Sequence, residues 1–475
     1  MTRKNADVNK TNIEQGPTTR LAEFATNLSY DKLSSDVVHH AKECLLDYLR
    51  LAVLGSSTPW AQAIYGLVKQ IGGIPESRIS VYGDRVPMIH AALANGTFSH
   101  GLEWSDSHLS SMSHPGDSVF PAAVAVAEKV HASGKDLITA AVAGYDVMIR
   151  VGEATMYSGF LRGFHAAGTI GPFGAAIAAG KLLKLKTPQM RDTIGVAASH
   201  CAGLICFIRH GERVKRIHAG KGAQAGVWSA LMAQAGITAP ANILEAPDAG
   251  FCRAYTDEYD LEKLTEGLGS QYRIMDTVFK VYAAGRTIHA PIEAAEHFKK
   301  RLGLDYQNVK EVEVHITPLL AERMSNANPT EFVGAQLSIP FTVSLMLVRG
   351  SAEFHDIVEG LADQRIRNLC QKVRLVGDPE FAKAAPLSWQ GKVIFRMNDG
   401  KEHSVTIDKP KGEATNPLSW ADIVERFRRN TALILKEDAI NRIVDLVAHM
   451  EELEDISHLT DLLVSSSPPG PATYV

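Results

Sequence analysis

Cysteine is scarce: five in 475 residues, an odd number, with no two in CxxC spacing. That excludes a disulfide framework and a thiolate zinc site, and it fits a reducing compartment. A basic excess is missing too. Lys plus Arg is 49 against 53 Asp plus Glu, a formal net charge of −4. Nucleic acid is therefore not expected as a partner, because phosphate binding needs a basic face. No apolar run is long enough to span a bilayer. The polar start MTRKNADVNKTNIEQGPTT lacks a secretory apolar core. The GKG at 220–222 is not part of a GxxxxGKS/T phosphate loop. These absences predict a soluble, cytoplasmic protein without membrane contact.

What is present is a chain 45% hydrophobic and too long for one simple core, so two domains are expected. Residues 1–19 read as a flexible arm. Beyond them, helical patterning dominates to about residue 270. Ser34 or Ser35 caps a helix carrying Val37, Ala41, Cys44, Leu45 and Tyr48 on one side and stopping near Gly55. Further helices fit PAAVAVAEKVHA, DLITAAVAGYDVMIRVGEA, GPFGAAIAAGKLLKL and GAQAGVWSALMAQAG. Their closely spaced Ala and Gly let helix axes approach.

Near Gln271 the pattern changes. A helix fits TIHAPIEAAEHFKKRLG, and VEVHI alternates with Val312, Val314 and Ile316 on one face and Glu313 and His315 on the other. KVRLV is a second candidate strand. GKVIFRM and HSVTI flank Asn398-Asp399-Gly400, a hairpin signal. Ala439, Ile440, Ile443, Leu446, Val447 and Met450 then trace a helical stripe. The reading is mainly α: a large all-α helical domain (20–270 and 412–465) with an inserted smaller α+β lid domain (271–411). Two crossings between them make a hinge and a cleft.

Four segments carry candidate chemistry. SHGLEWSDSHLSSMSHPGD, from Ser99, gathers His100, Glu103, Asp106, Ser107, His108 and His114. Such groups are costly to bury unless paired, and they move protons near neutral pH. A solvated loop or a metal site would use the same residues, but the spacing matches no zinc pattern. In GFHAAGTIGPFGAA, His165 precedes a helix start, which favours anions. IRHGERVKRIHAGKG concentrates Arg209, Arg213, Lys215, Arg216 and Lys221 with His210 and His218, against one acid, Glu212. Such a group holds a di- or tricarboxylate or is a solvated basic loop. In VFKVYAAGRTIHAPIEAA, Lys280, Arg286 and His289 reach the cleft from the lid side, or only cap the next helix. Acid–base groups plus excess cations suit proton removal beside a carboxylate, where fixed cations stabilise the developing charge.

In this order the segments resemble the MmgE/PrpD family of 2-methylcitrate dehydratases, cis-aconitate decarboxylases and iminodisuccinate epimerases. Glu103-Trp104-Ser105-Asp106-Ser107-His108 and His114-Pro115-Gly116 are similar to its acidic–aromatic–Asp–Asp–Thr–His and HPS/HPG runs. Gly163-Phe164-His165 with Gly168-Thr169, Val214 to Lys221, Phe279-Lys280-Val281-Tyr282 with His289, and Ala335 to Phe341 resemble its later motifs.

The resemblance implies a homodimer working without metal or organic cofactor on a small polycarboxylate. It places His114, His165, Lys215, Lys280, Glu103 and Ser107 in the cleft. In that reading His114 transfers protons, Lys215 and Lys280 clamp carboxylates, and Glu103 and Ser107 position substrate or solvent. Asp106, His108, Arg209 and His218 join them as substrate-binding candidates, as do Lys221, Arg286 and His289.

Three departures from the decarboxylase branch turn the expectation toward dehydration of a 2-methylcitrate-like hydroxy acid. Glu103 replaces Asp, one extra residue lies between Ser107 and His114, and Gly285 stands where a further histidine belongs. Decarboxylation and epimerisation are the alternatives on the same scaffold. A non-catalytic carboxylate-binding helical protein is the alternative of another class.

Overall fold

The computed structural model describes residues 15–209, 213–385 and 388–468. Most of the expected arm lies outside these residues. Its last part does not: a helix opens at Pro17 and runs Pro17–Asn27. Thr18 is buried there, donating its backbone N–H and its hydroxyl to the Glu245 carboxylate.

The chain is mainly α. Helix Ser35–Gly55 starts on Ser34, whose hydroxyl accepts the Val37 N–H, as its capping residue predicts. Helix Gly134–Leu161 opens on a reciprocal capping box between Ser133 and Asp136. Helices Met88–His100, Gly116–Val130, Gly171–Leu182 and His218–Gln234 complete the centre. Small residues set their spacing: a Cβ on Gly96 would lie 2.7 Å from the Cα of Gly220, so only glycine permits this approach.

The expected strands form one sheet of four, ordered Val373–Gly377, Val309–Ile316, Gly391–Met397, Glu402–Ile407. The first pair is parallel and the other two are antiparallel. Gly400, at φ 85°, closes the Asn398-Asp399-Gly400 hairpin, a conformation that favours glycine. Val312, Val314 and Ile316 face inward as expected. Glu313 does not stay on a wet face. It is buried, because Arg374, Arg396 and His315 all engage its carboxylate. The helix expected from Thr287 runs His289–Glu296 and ends in one wider turn, His297–Arg301.

Buried apolar side chains form two clusters. One runs through the helices from Leu21 to Phe279, and the final segment, with Ile440, Ile443, Val447 and Met450, belongs to it. The other centres on the sheet and its helices, and takes Leu51, Leu54, Leu102 and Trp104 from the helical part. Among the described residues no helix is long and apolar enough to cross a membrane.

Candidate active site

A cavity of about 480 Å³ opens between residues of the two clusters. Glu103, Ser107, His114, His165, Lys215 and Lys280 all line it, and so do His108 and Arg286. The chain brings them together through paired backbone bridges. Ser107 and Val278 exchange two N–H···O bonds of 2.8 Å, which ties the loop of His114 to the segment carrying Lys280. The His165 N–H donates to Gly203 O at 3.0 Å and the Ile205 N–H to Gly163 O at 2.9 Å, which seats His165 against the next loop.

Glu103 is the centre of charge. Its backbone sits at φ 57°, a left-handed conformation that is strained for a residue with a Cβ. Its carboxylate takes Lys215 on one oxygen and Lys280 at 2.9 Å on the other, with Arg216 3.8 Å away. Lys280 also donates to Glu103 O at 3.2 Å. All four side chains are buried. Three basic side chains thus face one carboxylate. Burial drives the Lys280 ammonium down to about 7; Asp117 opposes the shift and Arg286 adds to it. Lys215 is pushed well down by burial, then by Arg216 and Lys280.

His114 has a defined tautomer. Its Nδ1 lies 2.8 Å from the backbone oxygen of Asp106 and 3.0 Å from Ser107 Oγ. A carbonyl only accepts, so Nδ1 carries the proton and Nε2 keeps a free lone pair. Burial and Lys280 hold this imidazole at about 4, against the pull of Asp117. His165 is held well below its ordinary value by burial and then by His100 and His218. Its Nδ1 is 2.9 Å from that of His218, and its ring meets Phe207 edge-on at 5.0 Å. Both imidazoles are therefore neutral at pH 7. Negative charge brought into the cavity would raise their affinity for a proton.

The other sequence candidates take different partners. Asp106 does not line the cavity; it accepts the Gly116 N–H and the Tyr145 hydroxyl, holding the start of helix Gly116–Val130. His108 lines the wall but turns Nδ1 to Ser111 at 2.9 Å. Arg286 splits its guanidinium between Glu413 at 2.8 Å and His289 Nδ1 at 3.0 Å, and His289 lies behind it, fully buried. His218 stands behind His165. Lys221 is exposed on helix His218–Gln234, away from the cavity. The side chain of Arg209 lies outside the described residues, as does His210. Among the described residues no group of three or more His, Cys, Asp or Glu is arranged to hold a metal ion.

Three supporting groups carry no local signal that assigns them this role. Gln336, fully buried, donates to Leu102 O and Ala283 O, each at 2.7 Å, and accepts from Arg216 at 2.9 Å. One amide thus joins the loops of Glu103, Lys280 and Lys215. Asp117 accepts from His100 Nδ1 at 2.8 Å, and the His100 ring lies 5.6 Å from that of His114 and 5.8 Å from that of His165. Trp104 stacks against Arg50 at 4.4 Å and Arg426 at 5.3 Å, which fixes the residue after Glu103.

Known proteins resemble the chain along nearly its whole length. The MmgE/PrpD N-terminal domain matches residues 19–264 and the MmgE/PrpD C-terminal domain residues 282–452. A cis-aconitate decarboxylase of Aspergillus terreus is 28% identical over 486 residues, covering 98% of each chain. That of Homo sapiens is 27% identical over 474 residues, covering 95% of each. A cis-aconitate decarboxylase-like protein of Aspergillus oryzae is 27% identical over 476 residues, covering 95% of this chain and 98% of its own. Matched along nearly its whole length by both domains, the chain belongs to the MmgE/PrpD family of enzymes.

Proposed function

We propose that the protein is a lyase that decarboxylates a small, unsaturated di- or tricarboxylate of the cis-aconitate type. The observation that carries this reading is the meeting of Lys215 and Lys280 on Glu103 beside the neutral imidazoles of His114 and His165. Lys215 and Lys280, held in their charged form by an anion beside them, hold the substrate carboxylates. The bond to one carboxylate breaks, carbon dioxide leaves, and the electron pair passes into the conjugated carboxylate that the cations face. A proton from an imidazolium, taken up on binding, forms the new C–H bond, and solvent restores the imidazole. The named relatives favour this reaction over the dehydration expected from the motifs.

Dehydration of a 2-methylcitrate-like acid is the second reading. It rests on Gly285, which lines the wall at the position where, by the motif resemblance, the decarboxylase branch carries a histidine. The test is purified protein with cis-aconitate or 2-methylcitrate. Carbon dioxide from the first, lost in His114→Ala, supports decarboxylation. New ultraviolet absorbance from the second alone supports dehydration. Silence with both overturns the lyase reading.

A further inference from the structure

The floor and the walls of the cavity differ in kind. Glu103, Lys215 and Lys280 are deep, 5%, 5% and 1% exposed, while Arg323 lines the cavity as an exposed cation. Most of the remaining lining is apolar, including Met156, Phe160, Phe207, Leu320, Met324 and Trp389. At the mouth the apolar side chains are open to solvent, Tyr157 at 55%, Leu161 at 63% and Leu319 at 38%. A six-carbon triacid has no apolar surface to lay on such walls, and bringing its carboxylates against them strips water without return. The volume, about 480 Å³, falls in the range that encloses much larger ligands. Gly285 widens the same wall, since a side chain there would press on Leu337: even a Cβ would come within 3.0 Å of it.

We propose that the natural substrate is a di- or tricarboxylate bearing an unbranched apolar chain, with its carboxylates on the Lys215–Glu103–Lys280 floor and its chain running along the Phe160 and Leu320 walls toward the mouth. This deepens the reading above and rests on it for the reaction, but not for the binding.

Binding is measured by calorimetry with succinate and its 2-propyl, 2-pentyl and 2-octyl derivatives. The dissociation constant falls about fourfold for each methylene that reaches the wall, so roughly 15-fold from propyl to pentyl. Phe160→Asn reduces the ratio between pentylsuccinate and succinate; Ala385→Trp, which fills the wall instead of changing its polarity, does the same should the first variant not fold. A flat or reversed series overturns the proposal. So does a flat series in which Tyr157→Asp turns a dimer into a monomer, because a second copy then covers the apolar mouth. Carbon dioxide release is followed separately with cis-aconitate and with a chain-bearing analogue. Turnover with a flat binding series removes the chain and keeps the reaction. A steep series with no turnover removes the reaction and keeps the chain.

Discussion

Replacing Glu103 by Gln tests the charge arrangement most directly. The change keeps the shape and removes the only carboxylate that Lys215, Lys280 and Arg216 share within 4 Å among the described residues. Breaking a buried pair by deleting one partner costs about 3–5 kcal/mol. The cost depends on pH in a way the structure specifies. Lys280 titrates at about 7 in the folded protein and near 10.4 when unfolded. Between these values the unfolded chain binds more protons, so stability rises with pH in wild type and variant alike. Below about pH 7 the wild-type lysine is charged in both states and contributes no further slope. In Glu103→Gln the folded pKa drops further, so the variant goes on losing stability as the pH falls. The gap between the two proteins is therefore smallest above pH 7 and widens toward pH 5.5. Urea melts at pH 5.5, 7 and 9 read this gap, and a saturating tricarboxylate, supplying the missing negative charge, narrows it. A gap independent of pH, or a variant more stable than wild type at pH 5.5, would refute the shared-counter-ion argument.

His114→Asn should keep the fold and lower turnover by roughly 10²–10⁴-fold, the usual worth of a positioned acid–base group; circular dichroism and carbon dioxide release check the two halves. The neutral imidazole of His114 titrates at about 4 when folded and near 6.5 when unfolded. Stability should therefore fall as the pH drops from about 6.5 to 4, by up to about 3 kcal/mol from this group; an identical acid slope in His114→Asn would count against it. Because the imidazole takes up its proton on binding, the free-enzyme kcat/KM should fall as the pH rises above about 4 and more steeply above about 7, where Lys280 loses its charge; in Lys280→Arg only this second break should move above pH 9, which a pH–rate profile reads. Gln336→Leu strands two backbone carbonyls and one side of Arg216, so denaturant melts should show a loss of roughly 2–5 kcal/mol.

Much of this was legible in the sequence because local rules are strong. Ser34 marks a helix start by offering a side-chain acceptor to a bare N–H. The alternation of Val312, Val314 and Ile316 marks a strand, and the Asn398-Asp399-Gly400 turn marks a hairpin. Alanine- and glycine-rich stretches announce close-packed helices, as at Gly96 and Gly220. The polar segments stand out against an apolar chain, and eight of the side chains singled out in them line one cavity.

What only the tertiary structure decided is which charge meets which. Lys215 and Lys280 reach Glu103 across 112 and 177 residues of chain, and no short-range pattern encodes such a pairing. The sequence places Asp106 and His289 beside reactive neighbours, yet packing turns one toward Tyr145 and buries the other behind Arg286. Gln336 looks like any amide until three loops converge on it, and the apolar walls look like core until one face is left open. A residue's type sets what it can do, and long-range packing, by setting its burial and its partners, decides what it does.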